Sequence, residues 1–136
     1  MKRRKAREYA LQILFQIDFT KKNIDSFDFR QFWSEKRNNQ DIKHFTEELV
    51  RGTLDNLEEI DTILDTVADN WILGRMAAVD RAILRFAAYE LLYRRDIPSA
   101  VTINEAIEIA KKYSSSEAVA FLNGVLDRFA HEVKKS

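Results

Sequence analysis

A chain of 136 residues with 46% apolar and 32% charged side chains is the size of one domain and apolar enough to bury a core, which excludes a disordered or linker-like protein. Cysteine is absent, so disulfides, thiolate nucleophiles and Cys-containing zinc sites are excluded as well. The formal net charge is zero, but it is unevenly spread: residues 1–22 carry seven Lys and Arg against Glu8 and Asp18, whereas residues 41–69 carry nine acidic residues against Lys43 and Arg51. A basic tip suits phosphate and an acidic stretch suits a basic protein, although solvated helix faces produce the same pattern. The N-terminal apolar run is interrupted by Glu8, Gln12, Gln16 and Asp18, unlike a signal peptide, and no apolar stretch reaches the ~18 residues that span a bilayer. The expectation is a cytoplasmic protein with no membrane segment.

Ala6, Ala10, Ile13, Leu14 and Ile17 recur at helical spacing and predict an amphipathic helix from Arg3 to about Phe19. Phe27, Phe29, Phe32 and Trp33 crowd a short second helix after an Asp25-Ser26 cap signal, closed by Arg37-Asn38-Asn39-Gln40. This aromatic segment either covers the core or forms a homodimer interface. From Asp41 to Asp69 the positions Phe45, Leu49, Leu57, Ile60, Leu64 and Val67 keep a helical period, giving one long helix or two with a break near Asp55-Asn56. Trp71 to Arg75 reads as a junction. Met76 to Arg94 is apolar on nearly every face and therefore reads as the central, buried helix, stopped by Asp96-Ile97-Pro98. Thr102 and Glu105 have capping-box spacing for a helix ending near Tyr113, with a start at Ser99 also open, and Ser114 and Glu117 repeat the signature. The last helix carries Ala118, Leu122, Val125, Leu126, Phe129 and Val133 and frays at Lys134-Lys135-Ser136. The pattern predicts an all-α fold of about seven helices with no internal repeat.

Function rests on the first helix. On a wheel with Ala6 at zero, Phe15 falls at about 180 degrees and Arg4 at about 160, opposite the apolar stripe. An aromatic ring beside a guanidinium suits single-stranded RNA, with bases stacked on the ring and phosphates neutralised by Arg and Lys. The alternative is a helix buried on two sides, with Phe15 and Leu11 packed against the Phe27-to-Trp33 segment. Lys2, Arg3, Arg4, Lys5 and Arg7 place five cations within seven residues, where the helix dipole prefers acids, which favours an external anion over a merely solubilising end. Arg4→Ala or Arg7→Ala is then expected to weaken RNA binding while sparing thermal unfolding. Glu90 shares a sector with Val79, Ile83 and Phe86 and predicts a buried carboxylate paired with Arg94 or with an arginine from another helix. His44 and His131 stand apart from any metal-ligand spacing, and no phosphate-cradling glycine loop or nucleophile motif occurs.

Several ordered blocks resemble the NusB family of transcription antitermination factors: Arg3-Arg4-Lys5-Ala6-Arg7-Glu8 with Ala10-Leu11-Gln12 and Leu14-Phe15, Leu49-Val50-Arg51-Gly52, and Asp80-Arg81-Ala82-Ile83-Leu84-Arg85. Tyr89-Glu90-Leu91, Asp96-Ile97-Pro98, Ile103-Asn104-Glu105-Ala106-Ile107-Glu108-Ile109-Ala110-Lys111 and Phe121-Leu122-Asn123-Gly124-Val125-Leu126-Asp127 continue it over nearly the whole chain. The resemblance implies a single RNA-binding domain over 1–136, built as two small helical bundles packed at a steep angle. It implies binding of the boxA element of ribosomal RNA operon transcripts together with the ribosomal protein NusE, so that RNA polymerase reads through terminators. It also implies RNA contacts at Lys2, Arg3, Arg4, Arg7, Phe15, Glu117 and Phe121, a NusE contact at Asp80, and neither catalysis nor cofactor. Leu122 stands where the family more usually has Val, and Ala118-Val119-Ala120 is more apolar than an RNA-facing helix start. A purely protein-binding helical adaptor is the rival.

Overall fold

Seven α-helices and two short 3-10 turns make up residues 2–21, 23–36, 38–68 and 73–133, the part that the computed structural model describes, and no strand occurs among them. In chain order they are α1 (Lys2–Thr20), a turn at Ile24–Ser26, α2 (Phe29–Ser34), α3 (Gln40–Asp55), α4 (Leu57–Val67), a turn at Leu73–Arg75, α5 (Ala78–Tyr93), α6 (Ser99–Tyr113) and α7 (Ser116–Val133). The expected break at Asp55-Asn56 separates α3 from α4, with the Asn56 backbone N–H and side-chain amide both donating to the Gly52 carbonyl. Trp71, Arg37 and the Lys134-to-Ser136 tail lie outside the described residues.

The helix starts differ from the sequence expectation in an instructive way. Asp28, rather than Asp25-Ser26, caps α2 by accepting from the Gln31 N–H, while Asn23 opens the preceding turn. Helix α6 begins at Ser99 directly after Pro98, so Thr102 and Glu105 lie within it and form no capping box. Ser115 Oγ, not Ser114, accepts from the Ala118 N–H at the start of α7. Asp, Ser and Thr are the residues that cap helices, but they also make long-range bonds, and Thr102, Glu105 and Ser114 are engaged in those instead.

Helix α5 sits at the centre and packs on α1, α3, α4, α6 and α7. That placement explains its nearly continuous apolar surface: Ile83, Leu84, Phe86 and Leu91 are each buried, with full burial of such a side chain worth ~1.5–3 kcal/mol. Helices α1 and α3 pack on each other and on α5 as one group, and α6 and α7 pack on each other and on α5 as a second, with α4 against α5 and α7. The aromatic segment covers the core: Phe32 and Trp33 are buried, and both stand edge-on to Tyr9 of α1, at 5.8 and 5.4 Å between ring centroids. The Trp33 indole N–H donates to Glu47 of α3 at 2.9 Å.

Helices α3 and α5 approach closely at Gly52, where a β-carbon would lie 2.3 Å from the Tyr89 ring. The Tyr89 hydroxyl is held by Glu48 at 3.1 Å, so the ring moves only by giving up that bond. Gly52→Ala is expected to lower unfolding free energy by ~1–3 kcal/mol, read from the urea midpoint at constant slope. An unchanged midpoint would show that α3 and α5 can separate without cost.

Candidate nucleic-acid interface

The basic cluster of α1 divides into an inner and an outer set, which its sequence does not distinguish. Arg7 points inward and is 2% exposed. Its Nε and Nη2 donate to the two oxygens of Glu90 on α5 at 2.7 and 2.8 Å, and the Thr102 hydroxyl on α6 donates to the same carboxylate at 2.8 Å. Arg7 therefore does not belong to an RNA-facing surface, which corrects both its assignment as an RNA contact and the expectation that its removal spares folding. Glu90 is paired with an arginine from another helix, as one of the two readings had it. Arg94 instead bridges Glu48 at 2.6 Å and Asp96 at 2.9 Å, and its guanidinium holds the Asp96 carboxyl down at about 2.

Arg4 occupies the boundary. Its Nε and Nη2 face the oxygens of Glu105 on α6 at 2.9 and 2.7 Å, yet 37% of its side chain stays exposed. Hydrogen bonding from Arg4 holds the Glu105 carboxyl below its ordinary value of 4.5 against the opposing effect of burial, and the same pairing raises the Arg4 guanidinium. Lys2, Arg3 and Lys5 are exposed, and among the described residues none of them has a carboxylate within ion-pair distance. Arg3 lies over the Phe45 ring at 4.7 Å and Lys5 over the Tyr9 ring at 5.0 Å, contacts that restrain the stems, and the Arg3 charge also helps hold the Asp96 carboxyl down. No acidic residue occurs in the first turn of α1, so the positive end of the helix dipole adds to this field.

Further along α1, Phe15 is half-buried and lies parallel to Phe19, with centroids 5.9 Å apart and planes 10° apart. Phe19 is 72% exposed. Phe32 and Trp33 of the aromatic segment thus stand edge-on to Tyr9, whereas the ring that Phe15 stacks on is Phe19. Phe19 was missed by sequence reasoning, although the same wheel puts it at about 220 degrees, one turn beyond Phe15. Between the cations and the rings, Glu8 accepts from Lys112 at 3.1 Å and from the Tyr113 hydroxyl at 3.0 Å, which brings the end of α6 against this face of α1. Helix α7 starts three residues later, with Glu117 exposed and Phe121 half-buried against the core. Asp80, in the first turn of α5, is half-buried and accepts from Ser114 Oγ at 2.5 Å, so the α6–α7 corner is tied to it.

Among the described residues no cluster of His, Cys, Asp or Glu could hold a metal ion, and no helix is long and apolar enough to cross a membrane. The arrangement is a surface of unpaired cations, a ring pair and helix ends.

A family model described as the NusB family matches residues 4–131. The transcription antitermination protein NusB of Thermodesulfovibrio yellowstonii is 49% identical over 141 aligned positions, covering 97% of this chain and 93% of that protein. The solved structure of T. maritima NusB superposes with a TM-score of 0.83 at 39% identity, covering 96% of this chain and 91% of the other. A chain in the crystal structure of antitermination factors NusB and NusE in complex with double-stranded RNA shares the fold, with a TM-score of 0.86 at 24% identity and coverage of 96% and 97%.

Arg7→Ala is expected to strand the Glu90 carboxylate in the core and to cost ~3–5 kcal/mol in denaturant unfolding. A variant that melts like the wild type would show that Glu90 finds another donor. Acid titration gives a second check. Because the folded-state value of Glu105 is depressed, its contribution is present above about pH 4.5 and is lost as pH falls through the folded value. Glu105→Gln is expected to lose less stability than the wild type between pH 5 and the acid limit; parallel curves would assign that loss to other carboxylates.

Proposed function

The chain belongs to the NusB family, and on that premise we propose that it is a transcription antitermination factor that captures boxA RNA of ribosomal RNA operon transcripts together with ribosomal protein NusE. In this role it acts as one RNA-binding helical domain, in the cytoplasm, by binding and not by catalysis, and helps RNA polymerase elongate through terminators. The observation that carries the RNA half of the reading is the exposed turn of Lys2, Arg3 and Lys5, which has no carboxylate partner among the described residues and sits at the positive end of a helix dipole. The fold is also that of the factor found with NusE and double-stranded RNA, which supports this choice of partners.

The mechanism divides between affinity and readout. Lys2, Arg3 and Lys5 neutralise phosphates and release counterions, which is independent of sequence. Arg4 adds a directed donor. Phe15 lies 11 residues on from Arg4, about 16 Å along the helix, so a strand following α1 reaches the Phe15–Phe19 pair after a few nucleotides. The broad exposed ring of Phe19 is suited to an unstacked base. Glu117, exposed at the start of α7, and Phe121, half-buried one turn on, would meet bases rather than phosphates. Asp80 and the corner it holds lie toward the partner: an acidic group there attracts a basic ribosomal protein.

Fluorescence anisotropy of a labelled boxA-type RNA and a scrambled control, with and without NusE and at two salt concentrations, tests the reading. Selective binding strengthened by NusE is expected. Changing Lys2, Arg3 and Lys5 together to Ala should reduce the logarithmic salt slope by about 2 while leaving the melt unchanged. Equal or absent binding of both RNAs with NusE present would instead leave a helical adaptor that recognises proteins alone.

A further inference from the structure

Arg4 and Glu105 form a pair whose geometry goes beyond neutralisation. The pair uses Nε and Nη2 of the guanidinium, and among the described residues Nη1 has no hydrogen-bond acceptor. The carboxylate is the buried member, with its side chain 8% exposed on α6, whereas the guanidinium is the outer one. On its inner side Glu105 lies 3.9 Å from Arg7 Nη1, and Arg7 is itself fixed by Glu90. Glu105 thus stands between a fully anchored arginine and a half-anchored one, and it cannot follow Arg4 outward without leaving Arg7.

Resting on the RNA-binding reading above, we infer that Glu105 is a positioning residue for RNA: it locks the guanidinium plane of Arg4 so that Nη1 is aimed outward at a single phosphate of the bound strand. The two-point fork fixes the plane, which a lysine could not do. A long flexible side chain held in advance loses less rotamer freedom when phosphate arrives. Arg4 and its carboxylate together carry no net charge, so Arg4 supplies direction while Lys2, Arg3 and Lys5 supply the counterion term. This division gives an unusual sign. A carboxylate near an RNA site repels phosphate, so charge alone predicts that its removal tightens binding; positioning predicts that removal weakens it.

The test measures affinity of the intact protein with NusE for boxA-type RNA across salt concentrations, using Glu105→Gln, Arg4→Lys and the double variant, with circular dichroism melts of each. Expected is a loss of about three- to tenfold for Glu105→Gln with an unchanged salt slope, despite the gain of one positive charge. Arg4→Lys, which keeps the charge and loses the fork, should show the same loss, and the double variant should be no worse than either alone. Unchanged or tighter binding by Glu105→Gln, or losses that add in the double variant, overturns the inference. Should Glu105→Gln fail to fold, Arg4→Lys decides, because full affinity there removes any need for a fixed plane. Wild-type protein that does not distinguish the RNAs overturns the functional reading itself, an outcome visible before any variant is measured.

Discussion

The ion pair between Arg7 and Glu90 is the constraint around which the two helix groups are arranged. Both side chains are removed from water, a transfer that costs several kcal/mol per charge unless the partner is present and the remaining polar atoms are bonded. Here the fork of Arg7 takes both carboxylate oxygens, Thr102 adds a third donor, and the Phe45 ring lies 5.3 Å from the guanidinium carbon. Such a pair need not add much net stability over a well-packed apolar alternative. Its effect is selective: any docking of α1 that separates the two charges leaves each of them stranded.

A second pair at the far end of α1 makes the selection directional. Asp18 accepts from Arg81 Nη2 at 2.6 Å and Nε at 2.9 Å, and Arg81 also donates to the Leu73 and Met76 carbonyls that lead into α5. Helix α1 thus offers a cation near its start and an anion near its end, while α5 offers a cation near its start and an anion near its end. Opposite charges meet only when the helices run antiparallel, and a shift of one turn breaks both pairs together. Apolar ridges and grooves alone permit several neighbouring registers, so the ionic ends complete what apolar packing between α1 and α5 leaves open.

Much of this was visible in the amino-acid order, and what was not has a common cause. Helices with strong periodicity, the central place of the segment from Met76 to Arg94, and the break at Asp55-Asn56 all depend on local chemistry and were legible. The fate of individual polar residues was not. Arg4 and Arg7 look alike in sequence, but their positions on the wheel bring them to Glu105 and Glu90, whose locations are set by how α5 and α6 pack. The capping signatures at Thr102 and Ser114 failed for the same reason, since each hydroxyl is claimed by a carboxylate on α5. The Glu90 assignment succeeded because burial of a charge demands a partner whatever the fold, although spacing alone could not choose Arg7 over Arg94. Phe19 was overlooked for a different reason: the helix was taken to end at about Phe19, whereas α1 runs to Thr20 and carries that ring on the outer face one turn beyond Phe15.

The sequence distance spanned by the arginine anchors has a bearing on how the protein is made. Arg7 and Glu90 are 83 residues apart, and Arg4 and Glu105 are 101 apart. Translation delivers the arginine-rich turn before its carboxylates, and at ~5–20 residues per second the interval between them is several seconds. Throughout that interval the arginine-rich turn is a string of cations that the helix dipole disfavours and that lacks its carboxylates. The turn that carries Arg4 and Arg7 therefore acquires its shape only after α5 and α6 have been made, however early it is itself synthesised.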